Sequence, residues 1–113
     1  MEQQEQRQYP MDSFGVAKSG RHAGEWFIST GFTRIRVVWT RDGKEKDAGF
    51  SSGRTYLYPQ EGDIWKITDY YFDKEKIEKV YQFHNNQFVL LEYTEFSIEW
   101  NRSYPKETVV MEV

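Results

Sequence analysis

The sequence contains no cysteine, three prolines in 113 residues, little leucine or alanine, and no long apolar run. The missing cysteine excludes disulfide staples, thiolate zinc sites and a cysteine nucleophile. It fits a reducing cytosol, so a cytoplasmic location is expected. No stretch approaches the roughly 18 apolar residues of a membrane span, and the N-terminal segment has no apolar core of a signal peptide. Scarce leucine and alanine argue against a helical bundle. Two histidines, His22 and His84, are all there are, and neither stands in a cluster with ligand spacing. They read as solvated turn residues, and neither a metal nor a cofactor is expected. There is no glycine-rich phosphate loop, nucleophile elbow or HExxH. Ser51 and Ser52 have no evident base beside them, so an enzyme is not expected. Asn101-Arg102-Ser103 matches a glycosylation sequon, which without a secretory signal reads as chance.

What the chain does have is aromatic residues, 18% of the total. Aromatic and β-branched side chains suit a pleated, half-buried surface. A chain of this length forms one domain with one core. Residues 1–11 are polar and glutamine-rich, and read as a disordered tail ahead of a single domain over 12–113. Net charge is −3, split as +2 over residues 1–60 and −5 over 61–113. Such asymmetry orients protein partners more readily than it attracts polyanions.

Alternation of apolar and polar residues begins at Glu25. Trp26, Ile28 and Thr30 share one face of a first strand. In the stretch FTRIRVVWT, Ile35, Val37 and Trp39 form an apolar face, which sends Arg34 and Arg36 the other way. Asp42-Gly43 is a hairpin signal. AGFSSGRTY reads as a flexible connection into a short strand over Arg54–Tyr58, closed by Pro59. Trp65, Ile67 and Tyr71 alternate together next. Residues 74–82 fit either a helix capped by Asp73 or a strand with Lys79, Tyr81 and Phe83 on one face. The aromatic end and the turn HNNQ favour the strand. In FVLLEYTEFSIEW, apolar parity moves from Val89, Leu91 and Tyr93 to Phe96, Ile98 and Trp100, which calls for a bulge near Thr94. TVVMEV supplies a last strand. Before Phe14, one helical turn capped by Asp12 or Ser13 competes with a loop. About seven short strands indicate an all-β antiparallel meander. A small closed or nearly closed β-barrel is expected, with a bent two-sheet sandwich carrying one short helix as the alternative.

Gly24-Glu25-Trp26 resembles the G-x-W that opens lipocalin-type barrels, where the tryptophan plugs one end. The resemblance spans three residues and implies a barrel with an internal cavity. Glu95 and Glu99 could in principle do paired-carboxylate chemistry, but alternation already explains them as a solvated row opposite Phe96, Ile98 and Trp100. The expected function is that of a non-enzymatic binding protein of the inhibitor, immunity or adaptor type. It would recognise a protein partner, or a second copy of itself, through exposed aromatics and arginines. The candidate residues are Arg34, Arg36, Arg41, Arg54, Tyr56, Tyr58, Tyr70 and Phe72. The alternative is a carrier of a small apolar or anionic ligand inside the barrel. Single-stranded nucleic acid, which stacks on aromatic β-surfaces, is a minor reading against an acidic background.

Overall fold

The computed structural model describes residues 11–71 and 74–111, so the proposed N-terminal tail, apart from Met11, lies outside it. Every regular element described is a strand. β1 is Ser13–Val16, β2 Trp26–Arg41, β3 Lys44–Leu57 and β4 Ile64–Tyr71. β5 is Glu75–His84, β6 Gln87–Glu99 and β7 Arg102–Val110. All pairings are antiparallel. Consecutive strands form hairpins except β3 and β4, which flank opposite edges of β2. β1 shares one edge of β2 with β4, pairing at Trp26–Ser29, ahead of the β4 register at Arg34–Thr40. The sheet curls like a barrel and stays open, because β3 and β7 do not pair with each other. No helix among the described residues is long and apolar enough to cross a membrane.

Period-two sorting holds in β2. Ile35 and Val37 are buried and Trp39 packs against the core, while Arg34 and Arg36 face solvent. Register carries that inner face across the sheet. Trp39 lies opposite Trp65, Trp65 opposite Tyr81 and Tyr81 opposite Leu90. Ile28, Leu57, Phe83 and Phe88 complete the core. Each fully buried side chain of this size contributes roughly 1.5–3 kcal/mol. Trp26 packs its edge against Phe83 and Phe88, so the tryptophan of the G-x-W stretch does face the interior.

Several expectations are corrected. Asp12 and Ser13 cap no helix; Ser13 opens β1, whose Phe14 ring stacks on Phe88 at 4.2 Å. AGFSSGRTY is not a loop but part of a 14-residue strand, so the short strand at Arg54–Tyr58 is only its end. Gly49 and Gly53 carry φ near +80°, which a side chain resists, and they let β3 bulge and turn the whole β2–β3 hairpin through a bend. Small polar residues therefore hid a strand that exists to bend. Residues 75–84 are strand throughout. In β6 the inward residues are Phe88, Leu90 and Tyr93, not Val89 and Leu91. The parity change occurs at Leu91, which the register against β5 skips, not at Thr94. Phe96 and Ile98 consequently share the outer face with Arg36, and Trp100 stands 93% exposed at the hairpin tip. Glu95 lies opposite Ile77 on the inner-face parity and Glu99 is exposed at the strand end, so they do not form a carboxylate pair opposite a core. The last strand starts at Arg102, well before TVVMEV.

Candidate functional site

The outer face carries a row that crosses four strands. Arg34 of β2 lies opposite Tyr70 of β4, Tyr70 opposite Lys76 of β5, and Lys76 opposite Phe96 of β6. Cation and aromatic thus alternate at the strand spacing of about 4.8 Å. On the other side of β2, Phe50 of β3 lies opposite Arg36 and is 52% exposed. The Arg34 guanidinium lies 4.7 Å from the centre of the Phe50 ring and 5.9 Å from that of Tyr70. Lys76 Nζ sits 4.7 Å over Phe96. Stacking of this kind orders a cation at about 0.5–1 kcal/mol per exposed pair without neutralising it.

Arg36 behaves differently. It grips Asp47 through Nε and Nη2, and the hydrogen bond from Arg36 holds the Asp47 carboxyl below its usual value. Arg34 and Lys76 have no carboxylate within ion-pair distance among the described residues. The row therefore presents two ordered cations with no carboxylate in ion-pair contact among the described residues.

The remaining candidates go elsewhere. Arg54 stacks over Phe27 at 4.0 Å, on the outer face of the other arm of the bent hairpin. Beside it, Tyr56 stacks on His22 at 3.9 Å. Arg41 has the parity of the core, not of Arg34. It donates to Asp63 Oδ1 at 2.9 Å, to Asp63 Oδ2 at 2.7 Å and to the Tyr58 carbonyl at 2.9 Å. Tyr58 is 61% exposed at that rim. Phe72 lies outside the described residues. The seven described candidates thus resolve into three places: Arg34, Arg36 and Tyr70 in the row, Arg54 and Tyr56 on the other arm, and Arg41 and Tyr58 at the rim. His22 is half-buried and His84 exposed, and each bonds one glutamate, Glu25 at 2.8 Å and Glu61 at 2.6 Å. Among the described residues no group of three histidine, aspartate or glutamate side chains could hold a metal ion.

Sequence reasoning missed Phe50, Lys76 and Phe96. It also missed a buried ionic cluster at the base of β1. Lys79 Nζ lies 3.3 Å from Asp12 Oδ1 and 3.3 Å from Asp69 Oδ2, and all three side chains are about 5% exposed. The Tyr81 hydroxyl donates to Asp12 Oδ2 at 2.7 Å and accepts from the Asp12 amide at 3.0 Å. Two carboxylates share one ammonium here. Burial first, and then the neighbouring Asp12 carboxylate, push the Asp69 carboxyl up to about 7, against the pull of Lys79. Burial likewise raises the Tyr81 hydroxyl. A readable signal existed: Lys79 keeps step with Tyr81 and Phe83, and Asp69 keeps step with Trp65 and Ile67. A charge on an apolar parity calls for an opposite charge on the facing strand.

Comparison with family models, with curated proteins and with solved structures finds no match for this chain.

Proposed function

We propose that this chain is a non-enzymatic binding protein whose outer sheet face recognises an acidic segment of a protein partner. The observation that carries the reading is Arg34, its guanidinium over the Phe50 and Tyr70 rings and with no carboxylate within ion-pair distance among the described residues. A guanidinium held by its faces keeps its N–H edge free for a bidentate carboxylate. Lys76, two strands away, offers a second point of attachment. An acidic peptide fits better than a nucleic acid, because Arg34 and Lys76 already lie over the rings on which bases would stack. A cytoplasmic setting is part of the same reading, since a domain without cysteine needs no oxidising compartment.

The test is fluorescence anisotropy with a labelled, capped peptide of alternating glutamate and glycine. Saturable binding that weakens with salt is expected. Arg34→Gln and Phe50→Ala should each weaken it about tenfold, in line with the loss of one charge-assisted contact. Arg54→Gln, on the other arm, should leave it unchanged. Stronger binding of a single-stranded oligonucleotide, or indifference to Arg34→Gln, would overturn the assignment.

A further inference from the structure

On the opposite face from the Arg34 row, the bent β2–β3 hairpin encloses a cleft of about 300 Å³, at the small end of the range for small-molecule sites. Its floor is the Trp39–Trp65 pair, whose rings stack at 5.0 Å and 14°. Val37 and Leu57 come from the two arms of the bend and form its apolar sides. Ser51 and Thr55 bond each other through their hydroxyls at 2.8 Å across the Gly53 bulge and place polar atoms at the wall.

We propose that this cleft binds a flat, uncharged, mainly apolar small molecule, with the Ser51–Thr55 hydroxyl pair as its polar contact. The indole floor sets the shape, because a planar ligand gains most from stacking on a planar wall. The charge follows from Arg41, the one cation among the described residues that line this cleft. Both its Nε and its Nη2 are engaged, by Asp63 and by the Tyr58 carbonyl, and Asp63 neutralises it. An anionic ligand would find no free positive charge there and would lose its hydration. A cationic ligand would find Asp63 already paired and its side chain 1% exposed. A neutral aromatic or polycyclic molecule suffers neither penalty. The hydroxyl pair has two lone-pair-bearing oxygens and one proton not used between them, so it can meet either a donor or an acceptor on the ligand. This site shares no residue with the outer-face row, so the two readings stand or fall separately.

The test uses the full chain with two flat probes, uncharged Nile red and anionic 1-anilinonaphthalene-8-sulfonate, followed by dye emission and tryptophan quenching. Nile red should bind saturably with a blue-shifted emission, at least about tenfold more tightly than the anionic probe. Ser51→Met and Thr55→Met, which fill the cleft from its wall, should each weaken Nile red about tenfold while melting temperature and circular dichroism stay near wild type. If one of the two variants fails to fold, the other carries the test. Arg34→Gln should change nothing. Equal affinity for both probes, or no effect of filling by a variant that folds, would overturn the proposal. So would a dimer in sedimentation that filling dissolves, because a second copy would then be the occupant.

Discussion

Replacing Asp69 by asparagine should stabilise this protein at alkaline pH, although the residue is buried and lies beside a lysine. The effect originates in the Asp12–Lys79–Asp69 cluster. Two carboxylates and one ammonium leave one negative charge too many in a buried site. The folded state answers by holding a proton on Asp69 up to about pH 7, whereas the unfolded chain releases it near 3.8. Between those values the folded form binds more protons, so stability falls as pH rises from about 4 to 7 and levels off above. Holding a proton over that interval corresponds to on the order of 4 kcal/mol, at 1.36 kcal/mol per pH unit. Because Asp69 shares the Lys79 ammonium with a second carboxylate, a gain of about 2 kcal/mol is the working expectation for Asp69→Asn at pH 8. Asparagine has the shape of the protonated acid and still offers Lys79 a carbonyl oxygen. At pH 4 the variant and the wild type should be close. Urea unfolding of both proteins at pH 4, 6 and 8 reads the difference directly. The tyrosines around the cluster are Tyr71 on β4, Tyr81 on β5 and Tyr93 on β6, and none should ionise in this window, because burial raises all three hydroxyls. A variant that is destabilised more at pH 8 than at pH 4 would refute the argument, since Asp69 would then be an ordinary ion-pair partner.

Two further substitutions probe the frame around the sites. Arg41→Met leaves the Asp63 carboxylate, its side chain 1% exposed, with the Gln60 amide and the Trp65 indole but no cation. Breaking a buried pair from one side costs about 3–5 kcal/mol, and partial exposure of Arg41 puts the expected loss near the lower figure in a urea midpoint measurement. Burial opposes ionisation of Asp63, and its hydrogen bonds from Arg41, Gln60 and Trp65 outweigh that to keep its pKa low. The wild type therefore loses this contribution as pH falls through that low value, and the deficit of the variant should shrink there. Gly15→Ala sets a methyl 2.6 Å from the tip of the Phe27 ring, whose place is also fixed by Arg54. A loss of about 1–3 kcal/mol in thermal or urea unfolding is expected from that overpacking, and Phe27→Leu in the same chain should restore part of it.

The sorting of β2 was legible because it obeys one period over a long, well-spaced stretch: Ile35, Val37 and Trp39 turn inward and Arg34 and Arg36 outward. Two hairpin turns were legible for the same local reason, with positive φ at Asp42-Gly43 and Asn85-Asn86, whereas the turn at Trp100-Asn101 carries no such sequence signal. What local pattern could not supply is register. The Arg34–Tyr70–Lys76–Phe96 row is assembled from four strands, and each residue alone reads as an ordinary outer-face side chain. Bulges concealed more. The one at Leu91 reverses the sense of everything after it in β6, so Phe96 was assigned to the core when it belongs to the outer row. β3 was hidden because its composition serves bending, with glycine at positive φ where a strand normally carries β-branched residues. Asp12 could not be paired with Lys79 in advance, because that contact joins positions 67 residues apart.

The proposed docking point for an acidic partner is Arg34, ordered by Phe50 and Tyr70 and without a carboxylate in ion-pair contact among the described residues. Backbone amide NMR of the uniformly labelled chain, titrated with the glutamate peptide, tests it most directly. Shift changes should concentrate at Arg34, Phe50, Tyr70, Lys76 and Phe96 and leave Trp39, Trp65 and Leu57 still. Changes centred on the tryptophan-floored cleft, or none anywhere at millimolar peptide, would contradict it.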